Sequence, residues 1–145
     1  MDELCGEYRV IIVDWASIVY GLKNPLSFLM NLVLAEKEGY VNSHFVFVID
    51  YSKDIHRKVF DFKYRRYFEE HCVDYVLSMD EPAEVKAAKM CREYRERGIS
   101  SIVLSRDYDP LLYIEDIVMP HRVKYRWVLR HVEVDRKCLE NILSS

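Results

Sequence analysis

Glycine and proline are scarce in this chain, four of each in 145 residues, which excludes a collagen-like repeat, a long flexible linker and a Gly-rich phosphate loop. Long apolar runs are missing too. The best of them, Val10 to Val13 and Phe45 to Ile49, fall far short of the roughly 20 residues that span a bilayer. The N-terminus, Met-Asp-Glu-Leu-Cys-Gly-Glu, has neither the basic start nor the apolar stretch of a secretory signal. These absences predict no membrane partner and a cytoplasmic or nucleoid-associated protein. Cysteine is confined to Cys5, Cys72, Cys91 and Cys138, with no C-x-x-C pair and no histidine at ligand spacing, so the thiols read as reduced and a zinc site is not expected. Neither Ser17 nor Ser105 stands in a Ser-His-Asp motif, which argues against nucleophilic catalysis. An excess of positive charge is lacking as well. At a net charge of −3, any nucleic-acid surface has to be a local patch.

What remains is enough to build a core. Half the residues are hydrophobic and 31% are charged, which predicts a single folded domain over residues 1–145. The run Val10-Ile11-Ile12-Val13-Asp14 is apolar, β-branched and closed by an acid, as expected of a strand buried on both faces. Asn24-Pro25 opens a stretch to Lys37 with apolar residues at 26, 29, 30, 33 and 34, a helical spacing that Gly39 stops. Phe45-Val46-Phe47-Val48-Ile49-Asp50 repeats the strand-plus-acid pattern. Residues 73–77 read as a third strand, 83–97 as a helix, 101–105 as a fourth strand and 116–119 as a fifth. A hairpin or edge ribbon over 125–134 and a closing helix over 136–143 complete the prediction. Alternation of this kind gives an α/β fold, a mostly parallel central sheet with helices on both faces, and collects functional groups outside the carboxyl ends of the strands.

Asp14, Asp50, Asp107 and Asp109 all follow strands, so the predicted sheet brings acids to one edge. Hard divalent cations take oxygen ligands, and such ions can stabilise the attacking and leaving oxygens of a phosphodiester displacement. The bland alternative for each acid singly is a helix cap, a turn former or a solvated charge.

These strands, the basic-aromatic segment after Asp50, the Pro82-Ala83-Glu84 helix start and the segment Ser105-Arg106-Asp107-Tyr108-Asp109 occur in an order that resembles the PIN-like superfamily, specifically its flap-endonuclease and phage 5′-3′ exonuclease branch. The resemblance spans residues 8 to about 135. It implies a PIN-like three-layer fold, Mg²⁺ or Mn²⁺ as cofactor, and metal ligation by Asp14, Asp50, Glu84, Asp107 and Asp109. The chain departs from the pattern at several points. Lys86 and Ala87 occupy the positions where the family adds a further acid, and a lysine there opposes cation binding. Asp80 or Glu81 are the acids able to compensate. Tyr51 and Arg106 replace glycines, crowding the site, and the helix-hairpin-helix-like region with which the family grips duplex DNA has no counterpart, which predicts a minimal core.

Cations are interleaved with aromatics between Ser52 and His71, a recipe for single-strand binding, and Arg57, Lys58, Lys63, Arg65 and Arg66 are the expected phosphate contacts. The competing explanation is an amphipathic helix with a solvated basic face. A second group, His121, Arg122, Lys124, Tyr125, Arg126, Trp127, Arg130 and His131, reads as a charged edge ribbon that discourages aggregation. The leading expectation is a metal-dependent nuclease acting on DNA or RNA strands. Its rival is a degenerate nuclease-fold module that binds nucleic acid or a protein partner. A nucleotide-binding doubly wound domain has less behind it, because the phosphate-cradling glycines are absent.

Overall fold

The apolar runs that close on acids do form neighbouring strands, and the helices between them sort by side-chain size onto opposite faces of the sheet. A computed structural model of the chain describes residues 8–51 and 60–133. The order is β1 (Val10–Asp14), α1 (Trp15–Gly21), α2 (Pro25–Lys37), β2 (His44–Asp50), a π-helical turn (Phe60–Tyr64), α3 (Arg65–Glu70), β3 (Asp74–Ser78), α4 (Ala83–Glu96), β4 (Ser101–Leu104), a 3-10 turn (Asp109–Leu112), β5 (Asp116–Val123) and β6 (Arg126–Glu133). The predicted closing helix lies outside the described residues, as do Cys5 and Cys138.

The six strands form one sheet in the order β3-β2-β1-β4-β5-β6. All neighbours run parallel except β5 and β6, an antiparallel hairpin. The chain winds outward from β1 through β2 to β3, returns to the other side of β1 as β4, and continues outward. The sheet therefore has its topological switch point between β1 and β4, where the connections at the carboxyl end diverge and leave a crevice.

One face carries α1, α2 and α3 over a core rich in large side chains, among them Trp15, Phe28, Phe47, Phe60 and Phe68. Trp15 meets Phe47, Tyr64 and Phe68 with ring centroids 5.7, 5.1 and 5.8 Å apart, an aromatic cluster that each edge-on contact strengthens beyond its area. The other face receives α4 through Ala83, Ala87, Ala88 and Cys91 against Ile12, Val48 and Val103. Small residues let that helix approach the sheet closely, which sets its first turn, with Glu84, beside the carboxyl edge. Local signals agree with the ends of the helices. Asn24 accepts from the Ser27 amide at 3.1 Å ahead of Pro25, and Gly39 and Gly98, at φ +73 and +77, follow α2 and α4.

Two elements exceed the sequence prediction. Helix α1 follows β1 without a loop, and β5 continues to Val123 while its pairing with β4 ends at Leu104–Val118. The outer half of β5 is paired with β6 alone and overhangs the carboxyl edge.

Candidate metal centre

The switch point is lined by acids that the surrounding protein leaves short of partners. Asp14, the last residue of β1, is 3% exposed. It stands at the N-cap position of α1, where no capping hydrogen bond of good geometry forms and the first-turn Ser17 amide acts on its carboxyl only weakly against burial. Its Oδ1 is buried without a hydrogen-bond partner. Its Oδ2 faces the Ser105 hydroxyl at 3.4 Å. Burial, the charges of Glu84 and Asp107, in that order, push its carboxyl up from the ordinary 3.8 to about 7; the Ser17 amide and Ser105 hydroxyl offset this only in part.

Two serines bind this corner together. Ser17 donates to the Asp14 carbonyl at 2.8 Å and accepts from the Arg106 amide at 3.0 Å. Ser105 lies 3.3 Å from the Ser17 oxygen and accepts from the Asp107 amide at 3.1 Å. The strand β1, the start of α1 and the loop after β4 are thus locked around Asp14 by two buried hydroxyls. Absence from a catalytic triad had set both serines aside in the sequence. Their signal is position: Ser17 lies one helical turn past the acid, and Ser105 directly follows the strand that pairs with β1.

The other predicted ligands are placed as follows. Glu84, half-buried in the first turn of α4, and Asp107, exposed in the loop after β4, both act electrostatically on Asp14. Asp109, exposed at the start of the 3-10 turn, acts on Asp107, whose carboxyl is raised by burial and then by Asp109, against the pull of Arg106. Asp50, 7% exposed, ends β2 on the same edge but on the far side of β1, where it lines a crevice with Trp15, Tyr20, Phe60 and Tyr64. Asp14, Glu84, Asp107 and Asp109 form one electrostatic group, and Asp50 stands beside it.

The residues that depart from the resembled pattern are placed as follows. Lys86 is half-buried and, among the described residues, makes no ion pair with any of the five acids. Glu81 is drawn to Lys89 at 2.6 Å, and Asp80 is exposed. Tyr51 donates its hydroxyl to Asp61 at 2.9 Å. The stem of Arg106 runs against Gly21, where an added Cβ would stand 2.4 Å from its Cγ.

One buried carboxylate oxygen without a donor, in the field of Glu84 and Asp107, suits a hard divalent cation in its chemistry, but no three of the five acids bring carboxylate oxygens within 4.8 Å of one another. Asp14, Glu84 and Asp107 are the acids that would have to draw together to hold it, with Asp109 acting on Asp107 and Asp50 ending the neighbouring strand. Among the described residues the one group whose ligand atoms do come together lies elsewhere. Asp116, His131 and Glu133 offer one ligand atom each within 4.8 Å of one another, at the opposite, amino edge of the sheet. There Arg95 already holds Asp116 Oδ1 at 2.8 Å and His131 holds Oδ2 at 2.8 Å, so the group is a satisfied ion-pair network.

Of the expected phosphate contacts, Arg57 and Lys58 lie outside the described residues. Arg65 pairs with Asp61 at 3.2 Å and Glu69 at 3.6 Å, and Arg66 with Glu70 at 2.8 Å, so their charge is spent within the helix and the turn before it. Lys63 is exposed. No helix among the described residues is long and apolar enough to cross a membrane. No protein-family model matches the chain, and no curated protein matches it.

Proposed function

We propose that this chain is a divalent-metal-dependent nuclease that hydrolyses phosphodiester bonds in DNA or RNA, with the minimal core of a PIN-like 5′ nuclease. The observation that carries the reading is Asp14: buried at the switch point, one oxygen without a partner, and crowded by Glu84 and Asp107. A protein that retains such a costly arrangement gains from a cation there, since burying a charge without compensation is strongly unfavourable. When bound, Mg²⁺ or Mn²⁺ supplies an activated water and neutralises charge on the phosphoryl oxygens. The chain's own residues contribute the rest. Asp14 would anchor the ion from the end of β1, held in place by Ser105 and Ser17. Glu84 and Asp107 close on it from α4 and from the loop after β4. Asp109, exposed beside Asp107, would orient the attacking water, and Asp50 would contribute from the aromatic-lined pocket on the other flank.

The test is cleavage of end-labelled single-stranded, flap and duplex DNA and of RNA, in Mn²⁺ and in EDTA, by the wild type and by Asp14→Ala. Metal-dependent cleavage that disappears in the variant is the expected result. Folded protein that cuts none of these substrates would overturn it in favour of a nuclease-fold module that binds nucleic acid or a protein, a reading that Lys86 on the first turns of α4 favours.

A further inference from the structure

The overhanging half of the β5–β6 hairpin has a composition found nowhere else in the chain. From Ile117 to Val132 there is no carboxylate, while Arg122, Lys124, Arg126 and Arg130 supply four cations. Sequence reading assigns these charges to edge protection. That role requires only that the edge be charged, and it leaves their position unexplained.

Their position is specific. Val118 accepts from the Ser105 amide at 3.0 Å, so the strand beyond it runs out beside the loop that carries Arg106, Asp107 and Asp109. From Val118 to Val123 the overhang extends roughly 17 Å past the last pairing with β4. Side chains alternate along it. Arg122 turns to the aromatic face, its guanidinium 5.3 Å from the centre of the Trp127 ring. Met119 belongs to the α4-side core, and its cross-strand partner is Arg130; His121 and Arg126 follow on the same face by alternation. Ile12 and Val103, two residues before Asp14 and Ser105, belong to that core as well, so this is also the face toward which the acids of the switch point lie. Among the described residues Arg106, Arg126 and Arg130 make no ion pair, in contrast to Arg65 and Arg66. Arg106 Nε is buried without a partner. The charges of Arg130 and Arg106 reach His121, whose imidazole burial and then these two cations hold below its ordinary value. At the tip, Tyr125 is 93% exposed, and Lys124 turns the chain at φ +57.

We propose that this face of the β5–β6 overhang is the surface along which a single nucleic-acid strand lies, with Arg126 and Arg130 on successive backbone phosphates, Tyr125 under a base at the tip, and Arg106 at the phosphate nearest the carboxylates. Unpaired arginines beside a free aromatic ring suit a flexible strand whose bases are open to stacking. Negative backbone is thereby led from a basic ribbon to an acidic edge, where a metal ion is needed to receive it. The inference rests on the nuclease reading for its direction. It replaces residues 60–71 as the source of phosphate contacts.

Fluorescence anisotropy of a fluorescein-labelled single-stranded DNA in EDTA, titrated with the full chain over a series of salt concentrations, tests it. The variants are Arg126→Ala with Arg130→Ala, the matching Lys pair, and Arg65→Ala with Arg66→Ala. Both ribbon arginines are exposed, and a circular dichroism spectrum and melt unchanged from the wild type verify the fold. The ribbon alanine pair is expected to weaken binding about tenfold or more and to lower the slope of log K against log salt by between about one and two, the lysine pair to keep the slope, and the Arg65/Arg66 pair to change neither. An unchanged affinity and slope in the ribbon alanine pair, or a wild type that binds only duplex, would overturn the proposal. Cleavage assays separate the two readings. Ribbon-dependent binding without Mn²⁺-dependent cleavage keeps the ribbon and removes the nuclease; cleavage lost in Asp14→Ala but unaffected by the ribbon pair at limiting substrate keeps the nuclease and removes the ribbon.

Discussion

The two edges of the sheet hold the same kinds of residue and treat them in opposite ways. At the amino edge every conspicuous acid has a cation or a histidine. Glu36 and Asp74 take the two ring nitrogens of His44 at 3.1 and 2.6 Å, and Asp116 takes Arg95 and His131. At the carboxyl edge the acids meet one another. Glu84 and Asp107 raise the cost of ionising Asp14, Asp109 raises that of Asp107, and Arg106, which pulls on Asp107, has its stem against Gly21 and makes no ion pair among the described residues. Carboxylates at the first edge stabilise the fold. At the second Asp14 taxes it, and that difference, more than the number of acids, sets the amino-edge network apart from the site proposed for the metal.

The sharpest way to break the comparison is to remove Asp14. In the metal-free protein its carboxyl titrates at about 7 against an ordinary 3.8. Below the ordinary value folded and unfolded chains are both protonated. As pH rises the unfolded chain ionises first, so stability falls through the interval up to about 7, by on the order of 4 kcal/mol in all. Asp14→Asn abolishes that loss, and above neutral pH in EDTA the variant is expected to melt several degrees higher than the wild type. In Mn²⁺ the order reverses, because only the wild type gains from the ion. Melts in EDTA and in Mn²⁺ measure both effects, and an Asn variant less stable than the wild type in EDTA would show that the acid is structural after all.

Ser105→Ala probes the same corner more gently. The hydroxyl holds Asp14 and Asp107 in one arrangement, and groups that orient a metal ligand typically contribute about 10–100-fold in metal affinity. The variant is expected to shift the Mn²⁺ midpoint of cleavage by a factor in that range while its maximal rate at saturating Mn²⁺ recovers most of the wild-type value. A midpoint that does not move would make Ser105 a packing residue.

At the other edge, Asp116→Ala should change stability in the opposite sense to Asp14→Asn. It strands Arg95 and His131, both partly buried, and losing a partner of that kind costs about 1–3 kcal/mol. Burial alone would raise the Asp116 carboxyl, but hydrogen bonds from His131 and Arg95 and their charges outweigh it and hold the group below 3.8. Its contribution is therefore present above the ordinary carboxylate value and is lost as pH falls through the lowered one. Denaturant titrations across the acid range follow this directly. The Mn²⁺ response should be untouched; a response that vanished with Asp116 would move the metal site to the amino edge.

How much of this was legible in the sequence depended on whether the cause was local. Strands such as Val10–Asp14 and His44–Asp50 declare themselves through β-branched and aromatic runs, and the acids that close them were visible as a set. Helix α1 is less legible, although Trp15, Ile18, Val19 and Leu22 fall at helical spacing on one core face, because a seven-residue helix directly continuing a strand is too short to stand out and is held by the Trp15 cluster. Ser105 could not be linked to Asp14 across 91 positions without knowing that β4 returns beside β1. The charge pairing within the basic segment was legible in advance. Asp61, Arg65 and Glu69, like Arg66 and Glu70, sit at the four-residue spacing at which charges on a helix neutralise one another. The carboxylate-free run from Ile117 to Val132 was equally plain in the sequence, although its overhang beside Asp107 needed the fold.

The smallest effect belongs to His44. Burial alone would lower its pKa, but hydrogen bonds to Asp74 and Glu36, followed by their charges, raise it. Both ring nitrogens can donate only in the imidazolium form, so the clip joining α2, β2 and β3 is complete below the ordinary histidine value and comes apart as pH rises through the raised one. The ring and both acids are largely solvent-accessible, which limits the contribution to under about 1 kcal/mol. His44→Gln should remove this slight loss of stability on the alkaline side and leave Mn²⁺-dependent cleavage unchanged, and an NMR titration of the His44 ring should place its midpoint above that of an exposed histidine. A midpoint at or below that reference would mean that burial outweighs the two carboxylates, and the amino edge would then hold one pairing that its charges do not explain.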